Sequence, residues 1–307
     1  MAIKLSNREV TILKKNQQVS LKILMIGYGT ITSALISHII KLNNVEIVVW
    51  TRKRKKDLTD CCLVENVEEA LGKNDIDIIL SCVPDDTASY EAWNNQYIGK
   101  YIKSNHPICI EMSTLSFKYV CTWHEYIEEL SGKPVEMPFT GSRKGAKNGN
   151  MIVFIFTKYY EDITYFLKII SCKQYLFKSK GEATKFKLLY NFWGASMLRE
   201  LSLLYPVLKN EFTDFKMVKE IIMNDGWMSL LCKSVIRKAE NERVIDFKLK
   251  YMHKDVQEFQ EIAEKYSFIN YDEISKFYLK LVKDLDGEED FSKAIFGIGQ
   301  YEVTPHL

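Results

Sequence analysis

Six short apolar runs divide the first half of the chain: LKILMIG (21–27), VEIVVW (45–50), IDIILSCV (76–83), HPICIEMS (106–113), KPVEMP (133–138) and MIVFIF (151–156). Helical patterns lie between most of them, such as TITSALISHIIKL after the first. A strand that is apolar throughout has no side to offer to water. Such strands alternating with helices predict a parallel sheet covered on both faces. After about residue 180 the strand signal stops and helical patterns continue to the end. TKFKLLYNFWGASMLRELSLLYPVL is apolar around most of its circumference, as a helix buried in a domain or between subunits is. Pro206 is expected to end or kink it near Tyr205. HKDVQEFQEIAEKY and YDEISKFYLKLVKDL read as amphipathic helices. The expected architecture is an α/β domain followed by an all-helical one, with residues 1–20 as an extension and the division at 182/183.

Composition narrows the class. A chain of 307 residues suits two domains. A formal net charge of +2, from 42 basic and 40 acidic residues, gives no reason to expect a nucleic-acid or membrane-surface partner. The seven cysteines stand singly apart from Cys61-Cys62, form no CxxC pair, and have only five histidines to complete a metal site. No metal is expected, and the thiols fit a reducing cytoplasm. The opening MAIKLSNREVTILKKNQQ lacks the apolar region of a signal peptide, and no run approaches a membrane span. The expected location is cytoplasmic.

GYGTIT (27–32) follows the first strand and opens a helix, the context that the dinucleotide motif G-x-G-x-x-G requires. Gly27 permits the tight turn, and Gly29 permits close approach of the backbone to a pyrophosphate. The helix start, with Tyr28, Thr30 and Ile31, supplies N–H donors at the positive end of the dipole. Thr32 replaces the third glycine and is expected to loosen helix–strand packing. The second strand runs into VVWTRKRKK (48–56), with five basic residues in succession and no carboxylate to hold a ribose 2′-hydroxyl. Arg52 is placed to meet a 2′-phosphate, assisted by Lys53 or Arg54, so NADP(H) is preferred over NAD(H).

In GEATKFKLLYNFWG (181–194), Lys187 and Asn191 lie four apart and share a helix face among apolar neighbours. Burying an ammonium and an amide there is costly unless they are paired or used. Reduction of a carbonyl by hydride builds negative charge on oxygen, and an ammonium on a rigid helix answers it by donating a proton. Lys187 fits a general acid/base, with Asn191 holding substrate or lysine. Lys185 points elsewhere and is expected to be solvated. Ser113, Thr114 and Thr140 carry hydroxyls suited to a carboxylate, and the backbone around Gly141 suits an anion pocket.

These segments, taken in order, resemble the β-hydroxyacid dehydrogenases, which include 3-hydroxyisobutyrate dehydrogenases and glyoxylate/succinic semialdehyde reductases, with imine reductases as a related branch. VVWTR resembles V-x-W-N-R-T, with Thr51 for asparagine and Lys53 for threonine. SCVPDD (81–86) resembles the loop lining the nicotinamide side, which carries Val83 and Pro84. EMSTLSF (111–117) resembles D-x-S-T-x-x-P, with Glu111 for Asp and Phe117 for Pro. MPFTGSRKGAKNGNM (137–151) resembles A-P-V-S-G-G-x-x-G-A-x-x-G-x-L, with Thr140 and Ser142 at the serine and second glycine. GEATKFKLLYN resembles G-x-G-x-x-x-K-x-x-x-N, with Ala183 at the second glycine. HKDVQEF resembles a later K-D segment, where Lys254 lies near cofactor and substrate.

The resemblance implies a Rossmann-like domain joined by a long helix to a helical domain, with the site in the cleft. It implies a small carboxylate substrate bound through Ser113, Thr114, Thr140, Gly141 and Ser142, with Lys187 as acid/base, Asn191 beside it, and Thr114 and Lys254 also near the cofactor. The bulkier Thr140 and Ser142, with Arg143 and Lys144 at the rim, set this chain apart. Tyr190, Trp193 and the aromatics near Asn224–Trp227 suit a larger pocket, core packing or a dimer interface.

The leading expectation is an NADPH-dependent reductase of a small aldehyde or keto acid, or the reverse oxidation of a 3-hydroxy acid. The alternative is an imine reductase-like enzyme of specialised biosynthesis, against which Lys187 counts because those enzymes usually carry Asp or Tyr there. A non-catalytic NADPH-binding interaction protein would most naturally have lost the lysine. The apolar long helix suggests a homodimer. NADPH should bind more tightly than NADH, and Arg52→Ala should narrow the gap in a fluorescence titration; equal affinities in the parent would refute the preference.

Overall fold

The computed structural model describes residues 21–42, 44–51, 62–64, 66–73, 75–240 and 245–296. In the strand β1 (Leu21–Ile26), Ile23, Leu24 and Met25 are fully buried, so both of its faces are covered. It is followed by α1 (Thr30–Ile39), β2 (Val45–Trp50), β3 (Cys62–Val64), α2 (Val67–Lys73), β4 (Ile78–Ser81), α3 (Asp86–Trp93), α4 (Gln96–Asn105), β5 (Ile108–Glu111), α5 (Phe117–Glu129) and β6 (Lys133–Glu136). The six strands are parallel in the order β3-β2-β1-β4-β5-β6. That order reverses direction between β1 and β4, where an open α/β sheet forms its crevice.

Alternation along the strands sends side chains to two cores. Ile23, Met25, Ile47, Val49 and Leu80 pack with α1 on one face, while Leu24, Val48 and Ile79 pack with Trp93, Ile98 and Trp123 on the other. The chain continues through β7 (Phe139–Thr140), α6 (Ser142–Lys147), β8 (Met151–Ile155), α7 (Tyr160–Ile170) and β9 (Ser171–Leu176). These strands form a separate sheet, antiparallel between β7 and β8 and parallel between β8 and β9. The MIVFIF strand therefore leaves the main sheet, to which a single antiparallel bridge, Glu136 to Phe156, connects it.

The remaining elements are helical: α8 (Glu182–Glu211), α9 (Phe215–Asn224), α10 (Ser229–Glu240), α11 (Leu249–Glu258), α12 (Gln260–Ala263), α13 (Tyr271–Asp284) and a 3-10 turn at Phe291–Phe296. Leu188, Phe192, Ala195, Leu198 and Tyr205 of α8 pack into their shared core. Pro206 does not end α8, which runs on to Glu211. Packing explains the continuation: Tyr205 is buried against Phe215 and Phe296, which holds the backbone helical across a position where local propensity alone would break it. Among the described residues no helix is long and apolar enough to cross a membrane.

The start of α8 is fastened to the sheet by a buried carboxylate. Glu136, the last residue of β6 and 1% exposed, accepts the Gly181 N–H at 2.8 Å and the Thr184 N–H at 2.6 Å. A carboxylate at a helix N-terminus satisfies orphan donors and meets the positive end of the dipole. Gly181 enters the helix at φ 80°, and a Cβ there would stand 2.3 Å from the Phe117 ring, so only glycine fits. Glu136→Ala leaves two buried N–H groups without partners. It should lower unfolding free energy in a urea titration by about 3 kcal/mol, with Glu136→Gln losing less.

Candidate active site

The ends of β1 and β4 meet at the crevice. Gly27 adopts φ 93°, its N–H donates to the Trp50 carbonyl at 2.9 Å, and a Cβ would stand 2.7 Å from the Cys82 carbonyl oxygen. Gly29 then caps α1 without a side chain. A Cβ on it would meet nothing nearer than Thr32 Oγ1 at 3.9 Å, so the approach is open. Gly29 has no side chain to cap the N–H groups that follow it in the first turn. A ten-residue helix that starts in the open at the strand switch point fits a dinucleotide pyrophosphate.

Thr32 is 1% exposed, and its Oγ1 accepts the Gly29 N–H at 2.6 Å inside the turn. Tyr28, Thr30, Ile31 and Thr51 are partly buried around the crevice, and Pro84 is exposed. Arg52 and Lys53 lie outside the described residues.

Lys187 and Asn191 sit on the inward face of α8, 9% and 8% exposed. Asn191 Nδ2 donates to Asp255 Oδ2 at 2.5 Å, and Asp255 Oδ1 pairs with Lys254 Nζ at 2.7 Å. Lys254 Nζ also donates to the Thr114 carbonyl, tying α11 to the loop after β5. Burial pushes the Lys187 ammonium down from its ordinary range to about 8; Asp255 opposes this and Lys254 adds to it. A cationic side chain that loses its proton near neutrality is suited to proton transfer. The structure thus brings Lys187, Asn191, Lys254 and Thr114 together.

Ser113 is 3% exposed, and its Oγ accepts the Val83 N–H at 2.8 Å. The segment from Thr140 to Ser142 stands apart: among the described residues no hydrogen bond joins it to Lys187, Asn191 or Lys254. Gly141 has φ 125°, and Ser142 has φ 56°. Ser142 therefore keeps a left-handed backbone that favours glycine, at a cost of roughly 1–2 kcal/mol. Arg143 and Lys144 are exposed.

Lys185 is not simply solvated. Its ammonium lies 3.8 Å from the centroid of the Phe117 ring, a cation–π contact at the domain junction. Tyr190, Trp193 and Trp227 are 46%, 65% and 90% exposed, which removes core packing as their explanation.

Asp255 and Glu136 are the groups that sequence reasoning passed over, and Glu111 reads in sequence only as a replacement for Asp. Asp255 left a signal: on α11 it lies between Met252 and Val256, both buried, so it falls on the apolar face. Glu136 left none, because its partners are 45 and 48 residues away.

A glycine turn at the strand switch point of a parallel sheet, followed by helices, is the architecture of dinucleotide-binding folds. Residues 22–174 match the family described as the NAD binding domain of 6-phosphogluconate dehydrogenase. Those residues carry an NAD-binding domain, and the chain has the fold of 3-hydroxyisobutyrate dehydrogenases and imine reductases. Psf3 in complex with NADP+ and 2-OPP shares the fold, with a TM-score of 0.77, 14% identity, and coverage of 89% of this chain and 98% of that one. A 3-hydroxyisobutyrate dehydrogenase of Mycobacterium tuberculosis, solved with L-serine, has a TM-score of 0.73, 13% identity, and coverage of 91% and 99%. An imine reductase of Myxococcus stipitatus, solved with NADP+, has a TM-score of 0.59, 14% identity, and coverage of 89% and 98%. No curated protein matches by sequence.

Proposed function

We propose that this protein transfers hydride between NADP(H) and a small aldehyde, keto acid or 3-hydroxy acid, with Lys187 as general acid/base. The observation that carries the reading is the buried ammonium of Lys187, brought down to about 8 beside the Asn191–Asp255–Lys254 cluster. In this reading residues 21–182 hold the cofactor, and 183–307 complete the substrate site and the dimer. Gly27, Tyr28, Gly29, Thr30 and Ile31 face the pyrophosphate, with Thr51, Arg52 and Lys53 toward the 2′-phosphate. Val83, Pro84, Thr114 and Lys254 lie toward the nicotinamide end. When bound, NADPH supplies the hydride.

Lys187 then donates its proton to the developing alkoxide, and the positive charge of Lys254 lowers the cost of that transfer. Asn191, held by Asp255, has one amide hydrogen left to orient the substrate oxygen. Thr114, Thr140, Gly141 and Ser142 offer donors to a substrate carboxylate. That a dehydrogenase of this fold was solved with L-serine supports a small acid of that kind.

NADPH oxidation should respond to short semialdehydes or keto acids more than to cyclic imines. A protein that turns over imines alone would overturn the alcohol chemistry. Lys187→Met should reduce turnover by about 10²–10⁴-fold with NADPH binding retained. Reduction needs the protonated amine, so its rate should stay level below pH 8 and fall above it; oxidation needs the free amine and should show the opposite limb. Loss of folding in Lys187→Met would mark a structural lysine.

The outward side of α8 exposes Leu189 at 49%, Trp193 at 65%, Leu204 at 59% and Val207 at 51%, a stripe that supports a homodimer through the helical domain. Sedimentation should give twice the chain mass. A single-chain mass at all concentrations would contradict it.

A further inference from the structure

Glu111 ends β5 beneath the crevice, 1% exposed, and the chemistry proposed above makes no use of it. Three donors converge on its carboxylate. Oε1 accepts the Ser113 N–H at 2.9 Å, and Oε2 accepts Ser89 Oγ at 2.7 Å and Trp93 Nε1 at 2.9 Å. Tyr119 backs the cluster, its hydroxyl donating to Ser89 Oγ at 3.0 Å. On its other side Ser113 Oγ accepts the Val83 N–H at 2.8 Å.

A serine hydroxyl has one hydrogen to donate and two lone pairs. In Ser113 one lone pair takes the Val83 N–H, which engages the hydroxyl oxygen with the loop after β4. The residue is 3% exposed, while its neighbour Thr114 is partly open, so Thr114 is the hydroxyl that a substrate carboxylate can reach.

We infer that Glu111 and Ser113 are positioning residues for the cofactor loop: Glu111 holds the Ser113 backbone N–H, and the Ser113 hydroxyl fixes the backbone of Val83, so the serine sets cofactor affinity and does not bind substrate. The inference rests on the NADP(H) reading for its consequence in binding, but its geometry belongs to the chain alone. Val83 lies two residues past β4 and stands opposite the Gly27 turn, where a Cβ would lie 3.3 Å from Val83 Cγ1. A loop released at Val83 would move against the turn that approaches the pyrophosphate.

Two measurements on the full-length protein test this. Hydrogen exchange followed by mass spectrometry, with no cofactor added, reads the Val83 amide. Ser113→Ala should speed its exchange about fivefold, the equivalent of about 1 kcal/mol for one lost hydrogen bond. Fluorescence titration and steady-state kinetics read the consequence. Ser113→Ala should weaken NADPH binding by a similar factor and leave the substrate KM within twofold. Glu111→Gln should move both readouts the same way, because its amide turns a donor toward a donor, and Glu111→Asp, which keeps the charge, should recover part of the loss.

Unchanged Val83 exchange in Ser113→Ala overturns the inference. So does a raised substrate KM with NADPH affinity intact, which would return the hydroxyl to the substrate. A parent protein that binds no NADPH, with Val83 exchange still faster in Ser113→Ala, overturns the functional reading and the assignment to cofactor affinity while leaving the loop contact standing. If Glu111→Gln fails to fold, Ser113→Ala, which removes one oxygen, decides alone.

Discussion

The carboxylate of Glu136 references the helical half of the molecule to the sheet. It belongs to the edge strand of a six-stranded parallel sheet, and it holds two N–H groups in the first turn of the helix that carries Lys187 and Asn191. Lys187 lies three residues beyond Thr184, so a shift at the cap would carry the lysine with it. The requirement is reinforced by sterics, since Gly181 and Phe117 leave no room for a side chain at the entry. Lys185 lying over the same Phe117 ring closes the junction from outside. Helix dipole, close packing and a cation–π contact thus act on one turn of backbone.

A second tie crosses the crevice farther along. Lys254 binds the Thr114 carbonyl on the sheet side and Asp255 on its own helix, and Asp255 in turn holds Asn191. Burial of Lys187 costs stability, which the protein tolerates because that group is the one proposed to move a proton.

Much of this was legible in the sequence, for definite reasons. The strands of the main sheet show because burial on both faces demands unbroken apolar runs such as ILMI and IVV. SCKQYL, which forms β9, does not show, because it is largely exposed and its side chains carry no burial signal. Cys62–Val64 is too short for any period to register. The lysine and asparagine show because four-residue spacing survives in one dimension. Their supports do not: Glu136 finds its partners by topology, and Ser113 reads as a substrate hydroxyl until its oxygen is seen to hold the Val83 N–H.

Pro206 has a mechanical meaning beyond its failure to end the helix. It donates no hydrogen bond to the carbonyl one turn earlier, so α8 is least stiff there. That point lies 19 residues past Lys187, roughly 28 Å along the axis. Flexure transmitted from α9 and α10 would be absorbed at this soft joint, while the segment between the Glu136 cap and the lysine behaves as a short, stiff strut. The long helix is in effect two levers of unequal compliance, with the proposed proton donor mounted on the rigid one.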